Sequence, residues 1–326
     1  MNMLARFTSE IDALFSSPPQ KIAVAVSGGA DSFALLHLTQ AWAQPKNISV
    51  LAMTVDHGLR PESRDEAQQV GQWCKQNAIA HETLHWTGEK PASGIQAKAR
   101  VARRDLLCRA CAAHDIPALL LGHQADDQAE TMLMRLQRGS GLAGLKAMQK
   151  ITRDKETKIR LLRPLLAMRR TDLRHYCLEH QLPFIDDPSN ENHEFERIRI
   201  RALLANMPEL ANGIAKTTLR LARADAALDK TANEALALHT KMQENSLWLP
   251  ANLHANLAPE IYLRLLQHIL SLLQPKRITV NQAERLAQLL DTPNFSGCTL
   301  AGIQVRPKIL HKTSGLMFQA EPPRSL

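Results

Sequence analysis

The sequence predicts an α/β fold: a parallel sheet flanked by helices, then a smaller, mainly helical domain with a short C-terminal hairpin. Three observations predict it. Ile22-Ala23-Val24-Ala25-Val26 is a continuous apolar run rich in β-branched side chains, which suits a strand buried on both faces of a parallel sheet. The order of strand, polar loop and helix recurs after residues 48–55 and 117–122. Beyond Asn206-Met207-Pro208 the chain becomes Ala- and Leu-rich with charges at helical spacing, the signature of amphipathic helices. The expected division is therefore 1–205 and 206–326.

Composition agrees with two domains, because 326 residues exceed what one hydrophobic core usually serves. Five cysteines, an odd number in no regular framework, argue against a secreted disulfide scaffold and for a reducing compartment. The opening Met1-Asn2-Met3-Leu4-Ala5-Arg6 lacks a signal-peptide core, and no run is long and uncharged enough to span a bilayer. A cytoplasmic protein with no membrane partner is expected. The formal net charge is +8, and between Arg135 and Arg174 twelve Lys and Arg face only Asp154, Glu156 and Asp172. Such a run matches a polyanionic partner such as a nucleic-acid backbone.

In chain order, residues 3–16 predict a short amphipathic helix and 33–44 the crossover helix of a βαβ unit that closes with the strand 48–55. Asp56-His57-Gly58-Leu59-Arg60 follows at that strand's carboxyl end, where open α/β sheets bind ligands. Ser63 with Glu66 three residues on predicts a capped helix over 63–76. Strand 81–86, helix 95–113 and strand 117–122 come next. Asp127 and Glu130 then share one face of a helix running through Met132, Leu133 and Leu136. They suit a bound cation, or only the acid-rich first turn that the macrodipole favours. The Gly-rich Arg138-Gly139-Ser140-Gly141-Leu142-Ala143-Gly144-Leu145 predicts a flexible loop. A last strand lies in 158–166, a helix over 171–181 and a turn at 186–190. Arg197-Ile198-Arg199-Ile200-Arg201 fits either a half-buried strand or a helix start. Helices are expected over 210–243, 257–273 and 281–290, and a hairpin over 297–312.

The chemistry centres on Ser27-Gly28-Gly29-Ala30-Asp31-Ser32. Two glycines break the first strand, and the following helix directs its first backbone N–H groups at the loop, a ready site for phosphate. A tight turn alone would need only the glycines. Ser27 and Ser32 add hydroxyl donors, and Asp31 adds a carboxylate able to hold Mg²⁺ against phosphate oxygens. Neither Gly-x-x-x-x-Gly-Lys nor Gly-x-Gly-x-x-Gly is present.

The loop instead resembles the pyrophosphate (PP) loop of the N-type ATP pyrophosphatases, which cleave ATP to AMP and pyrophosphate while adenylating a substrate oxygen. With Asp56-His57-Gly58-Leu59-Arg60, the stretch from Gly94-Ile95-Gln96-Ala97 to Arg103, Gly122-His123 through Thr131, Arg138-Gly139-Ser140-Gly141 and Arg163-Pro164-Leu165-Leu166, residues 21–201 resemble the tRNA(Ile)-lysidine synthase family. The resemblance implies a Rossmann-like parallel sheet carrying the PP-loop, and ligation of free L-lysine to the 2-carbon of the wobble cytidine of tRNA(Ile) with a CAU anticodon, through an adenylated cytidine. ATP and Mg²⁺ are implied with it. So are roles: Ser27, Gly28, Gly29, Ala30, Asp31 and Ser32 around the triphosphate, Asp31 on Mg²⁺, and Thr54 and Gly122 at the adenosine. Asp31, Arg103 and Asp127 would serve catalysis, Asp127 and Glu130 lysine, and Arg138, Arg197, Arg199 and Arg201 the tRNA. His57 and His123 stand where nucleotide contact is expected. Arg104 and Ile198 depart from the family's usual Tyr and Asn, and a homodimer is allowed but not required.

Two alternatives remain at this point. A PP-loop tRNA thiolase would use cysteines, and Cys108 and Cys111 form a Cys-x-x-Cys pair. They fall in an Ala-rich helical stretch with no second pair nearby, too few ligands for a cluster or zinc site. A non-catalytic tRNA-binding protein would release no pyrophosphate.

Overall fold

The computed structural model describes residues 2–59, 62–87, 95–146, 148–185, 196–274 and 278–321. Arg60, Gly94 and the turn expected at 186–190 lie outside them. The chain divides into two compact units, Met1–Arg138 with Ala147–Thr218, and Gly139–Lys146 with Leu219–Leu326. The division falls inside one helix, at Thr218, where the sequence suggests 205/206.

The first unit contains α1 (Met3–Asp12), β1 (Lys21–Ala25), α2 (Ala30–Ala43), β2 (Ser49–Asp56), α3 (Glu62–Gln76), β3 (Ala80–His85), α4 (Ile95–Ala113), β4 (Ala118–Leu120) and α5 (Ala125–Gln137). The short helix α6 (Leu142–Leu145) interrupts it and belongs to the second unit. Then come β5 (Ile151–Arg153), β6 (Arg160–Leu162), α7 (Arg170–Glu179), α8 (Glu196–Ala205) and the start of α9 (Pro208–His239). The sheet order is β3-β2-β1-β4-β6-β5. All pairs are parallel except β5 with β6. β1 lies between β2 and β4, with Val24 opposite both Ala52 and Leu120. Successive crossovers leave β1 in opposite directions, which opens a crevice at the carboxyl ends of β1 and β4.

The apolar runs are legible because both sheet faces are covered. Ile22, Val24, Ala52 and Leu120 pack with Phe7 and Ile11 of α1, Phe33 and Leu36 of α2, Val70 of α3 and Leu173 of α7. Ala23, Met53, Leu119 and Leu161 point the other way, onto Leu107, Cys108 and Cys111 of α4. This is the two-residue alternation of a strand buried on both sides.

Three local expectations change. Ser63 lies within α3, and its hydroxyl donates to Asp56 Oδ1 at 2.7 Å. The tie between loop and helix replaces the cap. Residues 197–201 form helix α8, where Ile200 and Leu204 pack on Ala129 of α5. The glycine-rich loop condenses into α6, with Gly141 as its N-cap. The basic run 135–174 is also not one open face. Arg160 donates to the Leu14 carbonyl, Lys150 pairs with Glu10 at 2.5 Å and Arg169 pairs with Asp126 at 2.8 Å.

The second unit holds the rest of α9, β7 (Lys241–Gln243), β8 (Ser246–Pro250), α10 (Pro259–Leu273), α11 (Val280–Leu290), β9 (Cys298–Leu300), β10 (Ile303–Leu310) and β11 (Thr313–Ala320). Its five strands form an antiparallel sheet in the order β7-β8-β11-β10-β9. Leu265, Leu266 and Ile269 of α10 pack on Ile303, Val305 and Phe318. A C-terminal hairpin is present, but 297–305 and 308–312 are not its two arms: Ile303–Leu310 pairs with Thr313–Ala320. Residues 308–310 continue β10, and the chain reverses at His311 and Lys312, both at positive φ. Among the described residues no helix is long and apolar enough to cross a membrane.

Candidate active site

A cleft of about 520 Å³ opens at the carboxyl ends of β1, β2 and β4, within the first unit, a volume in the range of small-molecule sites. Its floor is the loop 27–32. β1 runs on by one bond, Val26 N–H to the Met53 carbonyl at 2.9 Å, before Gly28 turns the chain at φ +89°. That backbone region strains any residue with a side chain. Gly29 then caps α2 without a side-chain bond, so no side chain covers the first-turn amides, of which the Ser32 N–H bonds the Gly29 carbonyl at 3.0 Å and the earlier ones suit a phosphate. Ser32 braces the loop: its hydroxyl donates to the Gly29 carbonyl at 2.8 Å and accepts from the Ser27 N–H at 3.2 Å. Gly122 brings the end of β4 against the same turn, where a Cβ would touch the Asp31 and Ser32 backbone at 3.5 Å.

Asp31 is the chemically unusual member. Its Oδ1 is buried without a hydrogen-bond partner among the described residues. Burial pushes its carboxyl up to about 6, with Arg170 opposing. A buried oxygen lacking a donor fits a cation or a proton from a ligand. No cluster of three or more His, Cys, Asp or Glu forms a metal cage among the described residues. A cation here would draw on phosphate oxygens and water, as Mg²⁺ does.

The opposite wall is the start of α5. Asp127 completes a capping box, its Oδ2 accepting from the Gln124 N–H at 3.1 Å. The two readings of the acid-rich turn thus coincide in one residue, because Asp127 also lines the cleft. Its Oδ1 receives Arg197 Nη2 at 2.6 Å and Arg170 at 3.5 Å. Glu130 stands behind it, with a side chain 1% exposed, and binds Arg197 Nε at 2.5 Å and Arg201 Nε at 2.9 Å. The carboxylates share a face as their spacing predicts, but arginines already hold both. Burial opposes the Arg197 charge, yet Asp127 and Glu130 hold its pKa above the ordinary value.

Arg100 and Arg103 of α4 complete the wall. Burial lowers the pKa of both, as does the neighbouring charge of Arg197 for Arg100 and of Arg100 for Arg103. Beside them, burial and then Arg163 and Arg100 bring His123 down to about 3. His123 is therefore neutral, and the wall carries surplus positive charge suited to an anion. At the end of β2, Asp56 organises the turn rather than facing a ligand: Ser63 and the Gly58 N–H at 2.9 Å hold it ionised against the pull of burial. His57 and Thr54 line the cleft beside it.

Of the residues expected at the site, Ser27, Gly29, Ala30, Asp31, Ser32, Thr54, Arg103, Gly122 and Asp127 line one cleft. The Gly28 carbonyl accepts from Ile185 N–H at 2.9 Å. The four arginines expected on tRNA separate. Arg197 and Arg201 face the cleft, Arg199 is exposed on α8, and Arg138 pairs with Glu196. Sequence reasoning missed Arg100, Arg170 and Arg174 as lining residues. One signal was available: Arg169 and Arg170 begin α7, where the macrodipole disfavours cations, and Asp126 offsets them by accepting from Arg169 Nε at 3.0 Å and the Arg170 N–H at 2.8 Å. Cys108 and Cys111 are buried in α4, and burial pushes their thiols up to about 11 and about 12, the opposite of a reactive thiolate.

Residues 3–208 match the PP-loop domain family. The tRNA(Ile)-lysidine synthase of Bradyrhizobium sp. (strain BTAi1) is 41% identical over 301 residues, covering 86% of this chain and 81% of the relative. That of Novosphingobium aromaticivorans is 39% identical over 304 residues, covering 92% and 89%. Among solved structures, the U34-tRNA thiolase of Methanococcus maripaludis, which carries a 4Fe-4S cluster, superposes with a TM-score of 0.59 at 18% identity, covering 68% of this chain and 77% of its own. At that identity the likeness is one of fold. The PP-loop domain and the extent of these identities agree, and the chain belongs to the tRNA(Ile)-lysidine synthase family.

Proposed function

We propose that this protein ligates free lysine to the 2-carbon of the wobble cytidine of tRNA(Ile) with a CAU anticodon, in the cytoplasm and at the expense of ATP. The observation that supports it best is the single cleft that has the phosphate-ready loop and buried Asp31 on one side and Asp127 on the other. In the first step the cytosine carbonyl oxygen attacks the α-phosphorus and pyrophosphate leaves. In the second, an amine of lysine attacks the 2-carbon, AMP leaves and the amine gives up a proton. Adenylation supplies the good leaving group that lets a modest nucleophile succeed.

The open first-turn amides of α2 and the Ser27 hydroxyl hold the phosphates, with Ser32 bracing the loop behind them. Asp31 is the protein's ligand for Mg²⁺, which when bound offsets charge on the phosphate oxygens. Thr54 and Gly122 flank the adenosine. Arg103 stabilises charge developing on the adenylated oxygen. Asp127 receives an ammonium of lysine in exchange for part of its contact with Arg197, and Glu130 keeps Arg197 and Arg201 in place during the exchange. Arg138, Arg199 and the second unit engage tRNA.

The test is incubation with labelled lysine, ATP with Mg²⁺ and the CAU-anticodon tRNA(Ile), with methionine tRNA as control. Label in the first tRNA alone is expected. Label in neither overturns the assignment, and label in both overturns the anticodon specificity.

A further inference from the structure

One side chain outside the cleft touches it through another. Thr54 is 5% exposed, near the carboxyl end of β2 at the cleft, and its Oγ1 lies 2.9 Å from Nε2 of His81 on β3. The register explains the meeting. Ala52 pairs with His81 and Thr54 with Thr83, so Thr54 and His81 are diagonal neighbours on one face of the sheet. Helix α3 makes room there. Gly71 stands inside α3, where glycine costs about 1 kcal/mol relative to alanine, and a Cβ on it would come within 3.2 Å of His81 Nδ1. The glycine thus seats the imidazole behind the threonine.

The chemistry of the contact has a direction. Burial lowers the His81 pKa, with Glu82 opposing, so the ring is neutral at pH 7 and carries one proton. Nδ1 lies beside Gly71 of α3 and Nε2 beside Thr54 Oγ1, so in the tautomer with its proton on Nε2 the ring donates to the hydroxyl oxygen. With that lone pair engaged, the Thr54 hydroxyl proton is free to point into the cleft.

We propose that His81 is a positioning residue for nucleotide recognition, holding the Thr54 hydroxyl as a hydrogen-bond donor toward an acceptor atom of the ATP nucleoside. This rests on the reading of Thr54 as an adenosine contact. It makes an otherwise unremarkable histidine, on the edge strand and away from every motif, part of ATP affinity.

His81→Gln and His81→Asn separate the idea from mere packing. Glutamine reaches as far as Nε2 and keeps a donor, whereas asparagine stops at the position of Nδ1. The readouts are the dissociation constant for MgATP by calorimetry, KM for ATP and kcat in lysine ligation, and Tm. H81N is expected to weaken MgATP binding about 5- to 10-fold, the size of one lost hydrogen bond, with kcat changed less than about two-fold. H81Q is expected to restore most of the affinity. Thr54→Val is expected to lose as much as H81N, and the T54V/H81N double variant no more than either alone, because both remove one interaction. Equal affinities for H81N and H81Q, or losses that multiply in the double variant, overturn the proposal. A T54V protein that binds MgATP normally overturns the reading of Thr54 itself. T54V weakened beside an unaffected H81N overturns only the role of His81.

Discussion

The two carboxylate walls of the cleft differ in how completely they are satisfied. On the α5 side, Asp126, Asp127 and Glu130 are bound by Arg169, Arg170, Arg197 and Arg201 and by backbone N–H groups. On the loop side, Asp31 Oδ1 is buried without a donor among the described residues, and burial holds its carboxyl near 6. The first wall is already paired before any ligand arrives, so a cation entering there displaces part of an existing ion pair. The second is incomplete until a cation or phosphate group arrives, so it supplies binding energy that only the ligand can release. A buried acceptor kept unpaired costs stability, and such costs gather where function requires them.

The sharpest way to break this contrast is Asp31→Asn. Pyrophosphate release with tRNA present should fall about 1,000-fold, while Tm should rise by roughly 2–4 °C. The sign follows from linkage. A carboxyl raised from 3.8 to about 6 binds its proton more tightly in the folded state, so its contribution to stability is lost as pH rises through that window. The same shift predicts that MgATP affinity in the parent protein falls as pH drops below about 6. A D31N protein with lower Tm, or an affinity flat from pH 5 to 7, would contradict the account.

On the other wall, Asp127→Asn and Glu130→Gln should part company. D127N should reduce lysine incorporation about 100-fold while MgATP binding changes less than about three-fold. E130Q strands Arg197 and Arg201 beside a neutral partner 1% exposed and should cost about 3 kcal/mol in stability, read by urea denaturation. Equal losses of lysine incorporation and ATP binding in D127N would remove its distinction from Asp31. A smaller difference divides the faces of α8: Arg199→Ala should weaken tRNA binding a few-fold and reduce the salt dependence by about one phosphate contact with Tm unchanged. Smallest of all, C108A with C111A should leave lysine incorporation within about two-fold. Abolished activity there would favour sulfur chemistry instead.

Much of the first unit was legible because its strands are buried on both faces and therefore continuously apolar, as β1, β2 and β4 are. β5 was not, since Ile151–Arg153 is a short edge strand with its outer residues exposed. In the second unit the sequence suggests helices and one hairpin, and the five-stranded sheet went unseen for two reasons. β7 is three residues long and follows α9 after a single residue. The β10–β11 reversal uses His311 and Lys312 at positive φ, where Asn and Gly would have marked it.

By itself the sequence determined the PP-loop, the strand before it and the helix after it, because glycine, hydroxyl and carboxylate chemistry there depends on neighbours along the chain. It also placed Asp127 and Glu130 on one helix face, a matter of local periodicity. Only the tertiary structure decided that arginines some seventy residues later would occupy those carboxylates, that Arg170 would line the same cleft as Asp31 and Asp127, and that Asp31 Oδ1 would be buried without a partner among the described residues. Those outcomes depend on which side chains the crossovers bring to the β1–β4 crevice. Ion pairing acts across space at a few ångströms, and no spacing along the chain encodes it.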